Sequence, residues 1–267
     1  RNAVSLIVSG LLACAFYLAA TILQTRRMLQ GSDLVLAVKG CAAAAIAFHA
    51  VTNYRDFTGG SGIDLSLYPM LSLMALSIVT IVVLSSLRRP VDNLFVVIFP
   101  IAIVTLLLEV LLSSETAIGS HFSSDILSHI LLSIVAYSLI TIAAVQALLL
   151  SFGDSQLRHH RIALLRNMPP LQTMEHLMFE MLWAGLVFLT LSIASGFLFL
   201  EDITGPGLIH HTVITLAAWL VFSVLMWGRY QLGWRGAIAS RWTLSGFLLL
   251  VVGYFGSKVV LEVILAP

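Results

Sequence analysis

Charge is the scarcest thing in this chain. Only 10% of its 267 residues are Asp, Glu, Lys or Arg, where a soluble domain carries about 25%. So few charges cannot cover a water-facing surface, which argues against a soluble enzyme and against a nucleic-acid binder. The 14 basic and 13 acidic residues nearly cancel, so no strongly charged partner is implied. Cysteine is equally rare. Cys14 and Cys41 are the only two, both in apolar segments and without CxxC or CxxCH spacing. A disulfide framework, a zinc site and covalent haem attachment are all unsupported, and the two read as small core thiols. There is no internal repeat, low-complexity tract or Gly-rich phosphate loop. No Ser-His-Asp order, paired acidic motif or HExxH spacing appears either, so the expectation is a protein that is not an enzyme.

What the chain does have is apolar length. Hydrophobic residues make up 59% of it, and the mean hydropathy is +1.01. Eight apolar runs stand out, near 3–24, 33–53, 66–86, 94–113, 125–152, 174–200, 209–228 and 242–264. Each approaches the roughly 20 residues that a helix needs to cross a bilayer. None alternates apolar and polar residues as barrel strands do. The first run is too long for a signal-peptide core and lacks a clear small-residue cleavage site, so it reads as a retained helix. The predicted fold class is an all-α, polytopic membrane protein, a bundle of eight transmembrane helices forming a single domain over 1–267, with the lipid bilayer as its first partner.

Basic residues orient such a bundle. The odd-numbered connections carry ten Arg, namely 26, 27, 88, 89, 158, 161, 166, 229, 235 and 241. The even-numbered ones carry only Arg55, against Asp56, Asp64, Glu115, Glu201 and Asp202. The odd connections should face the cytoplasm, which puts both termini outside. In the fifth connection, Arg158-His159-His160-Arg161 followed by Ile162, Leu164 and Leu165 suggests a short interfacial helix, broken by Pro169 and Pro170. Thr173 then resembles an N-cap with Glu175 in the first turn.

This orientation sorts the eight histidines. His159, His160 and His176 fall on the inner side. His49, His121, His129, His210 and His211 gather at the outer level on four segments. His49 and His129 each lie about 5 Å inside the apolar slab at a rise of 1.5 Å per residue. Ionisable groups at that depth usually face a cavity or a partner, although a lone His at a helix end is as readily a hydrogen-bonded structural residue. Glu109 could pair with a histidine, orient one or snorkel outward. Lys39 should snorkel inward, and Lys258 and Glu262 are spaced for a salt bridge. A cluster of neutral imidazoles suits haem iron, a soft divalent metal or a proton. Of these haem fits the composition best, since its macrocycle needs apolar walls and its iron takes axial imidazole.

The last two helices carry familiar elements. Trp219-Leu220-Val221, Gly233-Trp234-Arg235-Gly236 and Tyr254-Phe255-Gly256 resemble the end of the CcsA-type cytochrome c assembly family, which handles haem. Other matches run in order: His49 with Tyr54-Arg55 and Ser66-Leu67-Tyr68; His129-Ile130 with Tyr137; Leu189-Thr190-Leu191 with Ser195-Gly196. Met168-Pro169-Pro170-Leu171-Gln172 and His210-His211-Thr212 resemble its HemX/YpjD-like branch. The chain departs from the cytochrome-building members in having no tryptophan-rich WWD loop. Trp227 and Leu265 stand where that family has two further haem-ligand histidines.

The resemblance implies a haem-binding or haem-transporting protein of the bacterial inner membrane, acting in cytochrome complex assembly or haem homeostasis. It matches His129 to an outer-side haem ligand. The expected site is one haem b with His129 as primary axial ligand and His49, at equal depth on another helix, as the second. His210 and His211 stand in reserve. Gly233-Trp234-Arg235-Gly236 is expected to be a structural turn rather than a haem contact. The alternative is a non-haem accessory or scaffold subunit of another membrane complex, such as one that moves ions, with a further membrane protein as partner.

Overall fold

The structure, a computed structural model, describes residues 3–58, 66–112, 123–159, 168–199 and 208–256. Each apolar run, as far as it is described, is a helix: α1 (Ala3–Gln30), α2 (Val35–Thr58), α3 (Leu67–Ser85), α4 (Phe95–Leu112), α5 (Ser124–Arg158), α6 (Leu171–Phe199), α7 (Leu208–Gln231) and α8 (Gly236–Val251), the end of the eighth run at 257–264 lying outside the described residues. A 3₁₀ turn, Asp92–Leu94, leads into α4, and a π-type turn, Val252–Gly256, ends α8. There is no strand among the described residues. All eight helices are long and apolar enough to cross a membrane. Helices suit that task because they satisfy their own backbone polar groups where water is absent.

Several helix ends differ from the hydropathy limits. The first helix continues past its apolar run to Gln30 and stops at Gly31, whose φ of 68° is open to glycine and whose N–H closes onto the Arg27 carbonyl at 3.0 Å. The fifth runs to Arg158, well beyond 152, and there the Asp154–Arg158 pair at 2.9 Å supports a polar final turn. Its 35 residues exceed what about 30 Å of hydrocarbon requires. The interfacial helix expected in the fifth connection falls on 160–167, outside the described residues, as do His121, Lys258 and Glu262. Thr173 is not an N-cap: α6 already begins at Leu171, directly after the proline pair, and the Pro170 carbonyl accepts from Met174 N–H at 3.1 Å. Proline suits that start because its missing N–H would be unsatisfied there anyway.

The 1–267 span divides into two compact units, residues 1–121 with 163–169, and residues 122–162 with 170–267. In the first, α1 packs on α2 and α4, and α3 on α4 and α2. Phe95 and Phe99 stack at 4.7 Å, and Tyr17 lies 5.6 Å from Phe99. At the Arg-rich end of this unit Asp92 is the tie point. Arg27 reaches its carboxylate at 2.6 Å and Gln24 its carbonyl at 2.8 Å. Lys39 does reach this end, donating to the Ser86 carbonyl at 2.7 Å with Asp92 at 3.9 Å.

In the second unit α5 packs along α6 and against α8, and α7 packs on α8. Gly233-Trp234-Arg235-Gly236 is the turn between α7 and α8. Gly233 and Gly236 have φ of 66° and 54°, and both Leu232 and Trp234 donate backbone N–H to the Gly228 carbonyl, at 3.0 and 3.1 Å. The Trp234 ring lies over Gly228, where a Cβ would come within 2.4 Å of it, and against Trp242 at 5.2 Å. Glu175 clamps this turn to α6. One carboxylate oxygen accepts from Arg229 at 3.0 Å and Arg235 at 3.3 Å; the other accepts the Gly236 N–H at 3.1 Å. Arg229 also sits 4.5 Å over the Phe179 ring. Every residue of the turn thus has a structural task.

Candidate functional site

The second unit gathers polar side chains near the beginning of α5. His129 and Ser133 stand four residues apart and Tyr137 four further on, a spacing that puts all three on one helical face. Ser133 Oγ donates to the His129 carbonyl at 2.8 Å and meets Ser192 Oγ of α6 at 2.7 Å. His129 Nδ1 lies 3.0 Å from the Ser192 carbonyl oxygen and 2.9 Å from Ser195 Oγ. A carbonyl oxygen only accepts, so Nδ1 carries the hydrogen. Nε2 is then the nitrogen with the lone pair, and no hydrogen bond engages it among the described residues. A backbone carbonyl on the other ring nitrogen is how proteins hold imidazoles that ligate metal.

His211 enters from α7, within electrostatic reach of His129. Its ring meets Tyr254 edge-on at 5.8 Å, and Tyr254 in turn lies 5.6 Å from Tyr137. His211 Nε2 is buried without a hydrogen-bond partner among the described residues. Such buried orphans are rare and call for an explanation. Tyr254 reaches this place from the π turn, a feature that recurs at functional sites. The turn fits against α7 because residue 253 is glycine; a Cβ there would come within 2.9 Å of Ile214. His210 belongs to the first turn of α7, but its side chain is outside the described residues.

His49 belongs to the first unit and its surroundings are different. It is fully buried, and both ring nitrogens are engaged. Nδ1 pairs with the Tyr17 hydroxyl at 3.1 Å and Nε2 with Ser72 Oγ at 2.8 Å. Ser72 itself donates to Asn53 Oδ1 at 3.2 Å. The donors then run one way: Tyr17 O–H to Nδ1, Nε2–H to Ser72, and Ser72 O–H to Asn53. Ligation by His49 would require breaking one of these bonds. In the same unit Glu109 is buried, at 2% exposure, and so does not snorkel outward.

Among the described residues no three of His, Cys, Asp and Glu gather as they would around a metal ion. Sequence reading brought His129, His211, Tyr137 and Tyr254 forward but passed over Ser192 as an orienting residue. The signal was there: Ser192 and Ser195, three apart in an otherwise apolar run, share a helical face.

Residues 64–265 match the family model described as cytochrome C assembly protein. The chain is 32% identical over 225 residues to inner membrane protein YpjD of Escherichia coli strain K12, covering 84% of this chain and 86% of that one. It is 33% identical over 140 residues to an uncharacterized 28.8 kDa protein of Azospirillum brasilense, covering 51% and 52% of the two chains. It is 25% identical over 144 residues to protein HemX of Brevibacillus brevis, covering 52% and 53%. No solved structure gives a significant match. The family match spans most of the chain and the YpjD likeness nearly all of it, so the chain belongs to the cytochrome C assembly protein family.

Proposed function

We propose that this protein is a multi-pass inner-membrane protein that binds haem b and acts in cytochrome assembly or haem homeostasis, with no catalytic chemistry of its own. The observation that carries the reading is His129. Its Nδ1–H is held by the Ser192 carbonyl, which leaves Nε2 as the ligating nitrogen. His211 is the second ligand in this reading, since its Nε2 is a buried orphan in the same unit, and it ranks ahead of His49, whose nitrogens are both taken. One or two imidazoles suit haem iron, whereas structural zinc generally takes four protein ligands. The rings of Tyr254 and Tyr137, which lie 5.6 Å apart beside His211, would form part of the wall a macrocycle needs. Bound there, haem would supply an iron centre for delivery or electron transfer; the protein's part is to hold and orient it.

The family supports a role in cytochrome assembly, and the relative named as an inner membrane protein supports the location. The test is the visible spectrum of the purified full chain before and after addition of hemin. A Soret band that saturates at one haem per chain is the expected result. A colourless protein that takes up none would overturn it in favour of the non-haem scaffold reading.

Orientation belongs to the same proposal. The Arg-rich ends face the cytoplasm and both termini face the periplasm, which puts His129 at the outer level. A reporter fused after Pro267 should be active only if it works in the periplasm; cytoplasmic activity would invert the map.

A further inference from the structure

The second unit holds another feature at its opposite, Arg-rich end. There α5, α6 and α8 line a half-open cavity of about 460 Å³. It exists because α5 continues past its apolar run while α6 and α8 both begin at that level. Part of the wall is aliphatic, from Leu150, Leu171 and Ala237. The rest is polar, and its charges do not balance. Asp154 is paired with Arg158. Glu175 is taken by Arg229, Arg235 and the Gly236 N–H. Arg241 also lines the cavity, and among the described residues it has no carboxylate partner. The uncompensated charge on this wall is therefore positive.

Two further groups favour an anion. Ser240, beside Arg241 on the wall, is 1% exposed, and its Oγ is buried with no hydrogen-bond partner among the described residues. The first turns of α6 and α8 also meet the cavity, through Leu171 and Gln172 and through Ala237, the Gly236 N–H beside it being already held by Glu175. Helix N-termini present amides without intrahelical acceptors and favour negative charge. Guanidinium, hydroxyl and helix-start amides together match phosphate oxygens.

We infer that this cavity is a phosphate-binding site and that its ligand is the headgroup of an anionic phospholipid. The aliphatic part of the wall decides the source. A free phosphate ion has no use for it, whereas a phospholipid places glycerol and the first acyl carbons there. The cavity also lies at the ends of membrane-crossing helices, where headgroups lie and basic pockets between helices recruit anionic lipid. The inference is independent of haem.

The test is native mass spectrometry of the full chain titrated with dioleoyl phosphatidylglycerol and, separately, dioleoyl phosphatidylcholine. The wild type should retain phosphatidylglycerol more strongly. Arg241→Gln should weaken that binding about fivefold, the effect of one basic residue near the headgroups, and leave phosphatidylcholine unchanged. Arg241→Lys, which keeps the charge, should recover part of the loss, which separates a charge effect from misfolding. In parallel, inorganic phosphate is added to the wild type and its melting temperature followed. Stabilisation by phosphate that Arg241→Gln removes, with no preference between the lipids, would uphold the phosphate chemistry and overturn the lipid source. Equal retention of both lipids with no response to phosphate would overturn the site, as would full phosphatidylglycerol binding in Arg241→Gln.

Discussion

His49 and His129 occupy matching places in the sequence and contrasting ones in the structure. Each lies about a turn from the end of an apolar run, at the depth where an ionisable group calls for a reason. His49 has its reason within the first unit: Tyr17 on one nitrogen and Ser72 on the other. His129 has one nitrogen held by α6 and the other unengaged among the described residues, with a second imidazole, that of His211, in electrostatic reach. Depth alone does not distinguish a ligand from a core residue. The count of satisfied ring nitrogens does, because an imidazole that both donates and accepts within the protein has nothing left for iron.

The sharpest way to break this contrast is to remove each ring in turn. His129→Ala should abolish haem retention, and His211→Ala should remove most of it. His49→Ala should keep full haem per folded molecule, scored by pyridine haemochrome after size-exclusion chromatography. Loss of haem from a folded His49→Ala protein would restore the pairing expected from depth and overturn the assignment of His211.

The same substitution at His49 should act on folding. It leaves Tyr17 Oη and Ser72 Oγ without their imidazole partner in a dry core. A buried polar group left unsatisfied costs about 1–3 kcal/mol, so the expected loss is on the order of 3 kcal/mol for the pair. Unfolding in mixed micelles of rising SDS fraction would measure it. His129→Ala, in a half-buried place, should move that midpoint less.

How far the sequence reaches is visible in the same residues. All eight helices follow from run length, because a bilayer demands unbroken apolar stretches and little else produces them. The Trp234 turn is also legible, since two glycines flank an amphipathic ring. The partners of the histidines are not. Tyr17 and Ser72 lie 32 and 23 residues from His49, and Ser192 and Ser195 lie 63 and 66 from His129. Periodicity reports which face of a helix is apolar, not which serine of another helix stands opposite. Glu175 is a similar case. Read locally it is an acidic residue near a helix start, yet its partners sit 54 to 61 residues further on.

Ser195→Ala sharpens the comparison from the haem side. It removes one of the two groups at His129 Nδ1 but leaves the Ser192 carbonyl, which still fixes the tautomer. Loss of an outer partner of a ligating histidine typically costs 10–100-fold in metal affinity, and with the carbonyl retained the expected effect is about tenfold. Hemin titration followed at the Soret band would read it. An unchanged affinity would mean that the carbonyl alone orients the ring. The SDS midpoint should stay close to wild type.

Ser72→Ala is the counterpart in the first unit, and its effect on the fold should be smaller than that of His49→Ala. It takes the acceptor from His49 Nε2–H and the donor from Asn53 Oδ1. The imidazole keeps its bond from Tyr17, but its Nε2–H is left without an acceptor in a dry core, so the loss should be about 2 kcal/mol, within the 1–3 kcal/mol that an unsatisfied buried group costs and below that of His49→Ala, which leaves two groups unpaired. That is a modest shift in the SDS midpoint with no change in the haem spectrum. The pair of serine variants therefore forms a crossed test: Ser195→Ala moves affinity and spares the fold, whereas Ser72→Ala moves the fold and spares affinity. A Ser72→Ala protein with normal stability and altered haem binding would mean that the His49 hydrogen moves to Nδ1 and Nε2 is offered to iron, and the two histidines would no longer divide the work between structure and ligand.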